Sequence, residues 1–158
     1  SGVYAARLRI NGEDSSEVWS GFRVARRASP NLQYVKVLNG CAKIKASHNG
    51  YKRLNRNVIH SRKIEVTAWS LCVIDSLTGD FTQADVFFHF HPDIVIQQVG
   101  PETLVLTIQS GQTIKVKSNR PLLILPSSWH PEFGKSVDSS MCVIKFVENF
   151  VQTTFSLT

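Results

Sequence analysis

Two histidines two residues apart, His89 and His91 in the run ADVFFHFHPD at 84–93, are the sharpest pairing of chemistry-bearing side chains in the sequence. Alternate side chains of a strand share a face, so both imidazoles would point the same way, as the metal ligands of cupin-type barrels do. A metal set needs at least three donors, and the nearest carboxylates, Asp85 and Asp93, sit towards the ends of the run. His89 and His91 are therefore metal candidates without a complete set. The structural alternative is that both rings share a face with Phe87 and hydrogen-bond to backbone.

A second grouping is basic. Arg23, Arg26 and Arg27 lie close together, and the stretch 48–62 holds His48, Tyr51, Arg53, His60 and Arg62. The planar guanidinium fork pairs bidentately with sulfate or carboxylate, and Tyr51 among Lys52, Arg53 and Arg56 would add a ring on which a sugar stacks. These eight residues are the candidates for binding an acidic polysaccharide; the plainer reading is a solvated charged face. His48, His60 and His130 are bases in principle. No serine, cysteine or tyrosine can be tied to them by spacing, and no GxSxG, phosphate loop or HExxH occurs. The sequence thus marks no catalytic residue.

The basic character is uneven. Residues 1–65 carry 13 Lys and Arg against 4 Asp and Glu, whereas residues 66–158 carry 5 against 8, within a net charge of +6. Such asymmetry points to an anionic partner. Nucleic acid is the weaker form of that idea, because aromatics are only 9% and the aromatic-basic signatures of RNA-binding sheets are missing. No apolar run is long enough to span a membrane, and the first residues lack a signal-peptide pattern. SGVYAARLRI starts almost directly in strand-like alternation, which suits a fragment of a longer chain. Cys41, Cys72 and Cys142 are three, without a CxxC pair, so buried free thiols are expected rather than a disulfide framework or a zinc ribbon.

The elements that would position these residues read as strands throughout. Residues 5–10, 32–38 and 41–46 alternate, with Asn-Gly turns at 11–12 and 39–40; 17–28 reads as one strand with a basic, irregular end. A loop covers the stretch SHNGYKRLNRN. Strands follow over 58–66, 69–77, 94–99, 103–109 and 113–117, then a short one over 122–125 closed by Pro126, a long loop over 127–140, and strands over 141–148 and 150–157. The organising strand is 84–91, with Val86, Phe88 and Phe90 on one face and Phe87, His89 and His91 on the other. Apolar on both faces, it should lie centrally between packed layers. No window shows helical spacing and turn signals recur about every eight to twelve residues, so a single all-β domain is predicted, an antiparallel two-layer β-sandwich over 1–158.

The runs SSEVWSGFRVARRA, ASHNGYKRL, VIHSRKIEV, LCVIDSLTGD, FFHFHPD, HPEFGKSVDSS and QTTFSLT occur in that order from about Ser15 onward. Together the chain resembles the C-terminal β-sandwich region of heparinase II/III-like polysaccharide lyases. The resemblance implies an N-terminal α/α-toroid, missing here, against which the sandwich packs to close the substrate cleft. It implies β-elimination on a uronic-acid-containing anionic glycan, a glycosaminoglycan or exopolysaccharide, in the periplasm or outside the cell. The family's HxHxD strand and HNT-type segment carry catalytic and metal-binding histidines and lie upstream of the matched region. The resemblance therefore gives this chain no cofactor, leaves a divalent metal to a full-length protein, and implies a domain inactive alone. His89 and His91 are not equated with HxHxD, and the run at His60 and Arg62 matches a family position without a catalytic role. A stand-alone module binding anionic glycan, and a cupin-like metalloenzyme built on His89 and His91, are the two alternatives.

Overall fold

The structure is a computed structural model of the 158-residue chain. It describes residues 3–14, 17–19, 23–26, 30–49, 51 and 57–158, with side chains placed for 7–12, 31–49, 51 and 57–158. The strands are β1 (Val3–Ile10), β2 (Glu13–Asp14), β3 (Glu17–Trp19), β4 (Arg23–Arg26), β5 (Pro30–Leu38), β6 (Cys41–His48), β7 (Ile59–Val66) and β8 (Ser70–Thr78). They continue with β9 (Ala84–Phe90), β10 (Val95–Gly100), β11 (Thr103–Thr107), β12 (Thr113–Ser118), β13 (Leu123–Trp129), β14 (Val137–Lys145) and β15 (Phe150–Leu157). One sheet has the order β13-β14-β9-β1-β2 and the other β10-β11-β12-β15-β8-β7-β6-β5, while β3 pairs with β4. Every pairing is antiparallel. The result is the β-sandwich that alternation predicts.

Alternation decides which side chains meet between the sheets. Val86, Phe88 and Phe90 of β9 join Leu8 and Ile10 of β1 and Cys142 and Ile144 of β14 in one buried cluster with Val73, Leu77, Val116, Val151 and Phe155 from the facing sheet. Phe88 and Phe155 meet edge to face across the layers, their centroids 5.4 Å apart. The other face of β9 sets Phe87 between Asp85 and His89, and the cover of that ring among the described residues is not a second layer. The guanidiniums of Arg7 and Arg9 lie 5.3 and 5.2 Å from the centre of the Phe87 ring, leaving that residue 6% exposed. Long arginine stems do the work expected of a packed layer.

Three readings of the sequence change. Within 17–28 the described residues form not one strand but two, β3 and β4, paired antiparallel with Val18 opposite Val24. Pro126 does not close a strand: β13 runs through it to Trp129, which is allowed because β13 is an edge strand and the missing proline N–H breaks no ladder on its open side. In consequence half of the expected loop 127–140 is paired, Ser127 opposite Ser139 and Trp129 opposite Val137, and 130–136 connects the strands. All three cysteines are free, and of these Cys142 alone is fully buried, its thiol pushed up to about 12 by burial.

Turns set the register. Asn11–Gly12 and Asn39–Gly40 both have positive φ at each residue, the type I′ geometry that joins twisted strands with two residues. Gly79, between β8 and β9, has a stricter reason: its φ is +101° and a Cβ there would come within 2.7 Å of the carbonyl oxygen of Asn57. Gly111 has φ +84° and open space around it. Gly111→Ala should therefore cost about 1 kcal/mol of backbone strain, whereas Gly79→Ala must displace backbone and should cost about 3 kcal/mol. Urea unfolding of the two variants checks the ranking, and equal losses would contradict the close approach at Asn57.

Candidate functional site

The polar side chains that converge most closely lie on β6, β7 and β8. Register brings them together. His48 stands directly opposite His60 across β6 and β7, and Arg62 directly opposite Asp75 across β7 and β8. His60 and Arg62 are two residues apart and share a face, so both reach the same carboxylate. His60 Nε2 lies 2.6 Å from Asp75 Oδ1, Arg62 Nε donates to the same oxygen at 2.8 Å, and Arg62 Nη2 donates to Oδ2 at 3.1 Å. His48 Nε2 lies 2.8 Å from His60 Nδ1. Asp75 is 1% and His60 5% exposed.

This geometry fixes charge. Burial pushes the Asp75 carboxyl up, but hydrogen bonds and charge from His60 and Arg62 outweigh it and hold the group below the usual carboxylate range. The ionised Asp75 accepts from His60 Nε2–H, and a hydrogen bond between His60 Nδ1 and His48 Nε2 continues the chain, its direction set by the protonation of the two rings. Burial, then the charges of His60 and Arg62, lower His48 to about 4, so it is neutral at pH 7. The cluster is thus a chain of oriented groups that ends on a weakly basic imidazole.

Tyr51 is held differently from the expectation. It is 0% exposed, its hydroxyl donates to the carbonyl of Leu8 at 2.6 Å, and its ring lies 5.6 Å from that of His48. A ring in the core offers no face to a sugar. Arg27 and Arg53 lie outside the described residues, as do the side chains of Arg23 and Arg26. Of the eight candidates, the structure gathers His48, Tyr51, His60 and Arg62 into one neighbourhood. The residue on which two of them converge, Asp75, is not marked by the sequence motifs. A lone carboxylate inside the near-continuous apolar run WSLCVIDSL was the available signal, because a buried charge requires partners.

The histidines of the other sheet take separate partners. His89 Nδ1 lies 3.2 Å from Ser127 Oγ, and burial followed by the charge of Arg7 lowers its pKa. His91 packs edge to face on Trp129 at 4.5 Å and accepts from the backbone N–H of Asp93 at 3.3 Å. It lines a cavity of about 200 Å³ with Asp93, Gln109 and Ser110. Among the described residues no three His, Cys, Asp or Glu side chains gather as a metal set. Among the described residues no helix is long and apolar enough to cross a membrane.

The fold makes the chain an antiparallel β-sandwich domain, and the buried cluster lies within its larger sheet. The sequence profile of "Heparinase II/III-like, C-terminal" matches residues 6–157, and the chain belongs to that family. Among solved structures it is similar to heparan sulfate lyase HepC from Pedobacter heparinus, with 11% identity and a TM-score of 0.71. It is similar also to a heparinase III described as the BT4657 gene product, with 11% identity and a TM-score of 0.73. In both comparisons 96% of this chain is covered but only 23% of the other, so the chain spans about a quarter of those enzymes. No curated protein sequence matches it significantly.

Two outcomes follow from the cluster. Asp75→Asn leaves the part-buried Arg62 without its counter-charge and should lower unfolding free energy by about 3 kcal/mol, read by chemical denaturation; a loss under about 1 kcal/mol would mean that solvent already screens the pair. The second concerns pH. His48 titrates near 4 folded against 6.5 unfolded, so between these values the unfolded chain binds the extra proton. Stability from this group is complete above pH 6.5 and is lost as pH falls towards 4. Melting temperature should fall across that window, and fall less in His48→Gln, whose amide keeps a donor for His60 without titrating.

Proposed function

We propose that this chain is the C-terminal sandwich of a polysaccharide lyase that cleaves uronic-acid-containing anionic glycans by β-elimination. In this reading it closes the substrate cleft of a longer enzyme in the periplasm or outside the cell and is not catalytic alone. The observation that carries the reading is the family match over 6–157 in a chain that spans 23% of the heparinase structures it resembles. The chemistry of the cluster supports it. β-Elimination needs a base for the C5 proton, an acid for the leaving oxygen and donors for the carboxylate. Asp75 and His60 are buried and bonded to one another, and an imidazole held at about 4 is a weak base at neutral pH. The cluster suits bracing of the sheet better than proton abstraction.

The missing partner has a surface suited to it. Register puts Leu32, Val35 and Val37 of β5 on the same side as the inward-facing Ala42, Ile44 and Ala46 of β6. This apolar end of the inner face stays open, with Leu32 61%, Val35 56% and Val37 74% exposed. In the proposed enzyme the N-terminal α/α-toroid covers it. A module that binds acidic glycan by itself is the second reading, favoured by the 13 basic against 4 acidic residues in 1–65.

The test is a uronate-elimination assay, followed at the absorbance of the unsaturated product, on this chain and on the full-length gene product with a panel of acidic glycans. Activity confined to the longer protein is expected. Activity in this chain alone would place the catalytic groups wrongly, and silence from both would leave glycan binding as the function.

A further inference from the structure

We propose that the outward face of the eight-stranded sheet is a docking surface for an extended polyanionic glycan, held by Lys36, Lys43, Lys45, Lys63, Lys115 and Lys117. The choice of glycan rests on the lyase reading above; the surface itself rests on register and charge. Lys36 stands opposite Lys43, Lys43 opposite Glu65, Glu65 opposite Cys72, Cys72 opposite Thr154, and Thr154 opposite Lys117. Directly opposed residues share a face, so this row crosses six strands on one side of the sheet, about 24 Å at the usual strand spacing. A neighbouring row sets Tyr34 opposite Lys45 and Lys45 opposite Lys63, and Lys115 stands opposite Ser156. The buried Val73, Asp75 and Leu77 belong to the opposite face, which makes this one the outside.

Two of these cross-strand pairs, Lys36 with Lys43 and Lys45 with Lys63, set like charges directly against each other, an arrangement that lowers sheet stability. Glu65 relieves part of it, lying 2.6 Å from Lys63 and 3.5 Å from Lys43. Among the described residues no carboxylate forms an ion pair with Lys45, Lys115 or Lys117. The middle of the face is uncharged, with Thr154, Gln152 and Ser156 available for hydroxyl hydrogen bonds. Ammonium groups spread so widely cannot converge on a point anion, but a chain with repeating carboxylates or sulfates would touch several at once and remove the repulsion between the opposed pairs. The rows that hold the lysines carry one aromatic ring, Tyr34 at the β5 edge, with the Lys36 ammonium 5.3 Å from its centre; without a run of rings on which successive bases stack, the face favours a glycan over a single-stranded nucleic acid.

The experiment measures binding of this chain to a size-defined heparin oligosaccharide across a salt series, with neutral dextran and a single-stranded DNA of matched charge alongside. In the triple variant Lys45→Gln, Lys115→Gln, Lys117→Gln, affinity for heparin should fall about tenfold or more and its dependence on salt should flatten. A control with Lys135→Gln and Lys145→Gln, which removes charge elsewhere, should change it less than about twofold. The melting temperature of the triple variant should hold or rise, because one opposed lysine pair is relieved. Equal loss in both variants, no loss in either, or tighter binding of DNA than of heparin would overturn the proposal. Association and bond cleavage are separate readouts: lysine-dependent heparin binding with no elimination by the full-length protein would sink the lyase reading and keep this surface, and the reverse pattern would do the opposite.

Discussion

The carboxylate of Asp75 is the constraint around which the centre of the large sheet is arranged. Taking a charge out of water costs several kcal/mol unless it is paired and hydrogen-bonded. Here the compensation comes from two donors on β7, and through His60 a third group, on β6, is drawn in. One buried charge therefore fixes the register of three strands, since a slip of a single residue would turn His60 and Arg62 to the other face and leave Asp75 unpaired. His48 stays neutral for other reasons, burial and then the charges of His60 and Arg62, which outweigh the opposing pull of Asp75.

The same alternation that builds this network divides the eight-stranded sheet into regions with different partners. Its inner face packs on the five-stranded sheet along β8, β15 and β12, and at β5 it continues as exposed leucine and valine. Its outer face sets lysines on β5, β6, β7 and β12 and threonine, serine and glutamine on β15. The two faces of one sheet thus offer different chemistry, apolar on one side and lysine-bearing on the other, in a chain that spans about a quarter of the heparinase structures it resembles.

Much of the fold was legible because strand period and turn chemistry are local. The Asn-Gly turns, the inward set Val86, Phe88 and Phe90, and the terminal strand 150–157 all stand where alternation puts them. Local signals failed where a neighbour decides. Proline reads as a strand terminator, yet Pro126 sits inside β13 because that strand has no partner on one side. Phe87 reads as needing a second layer, yet arginine stems from β1 cover it.

The candidate site divides in the same way. Sequence alone determined that the chain is an all-β sandwich, that its first half is basic, and that His48, Tyr51, His60 and Arg62 fall in one family-like stretch, because composition, period and motif order are properties of the chain itself. Only the tertiary structure decided that Tyr51 is a core residue, that His89 and His91 face different partners, and that Asp75 lies between His60 and Arg62. These depend on which strands lie side by side and in what register, and pairings between residues 13 to 15 apart are set by the sheet as a whole.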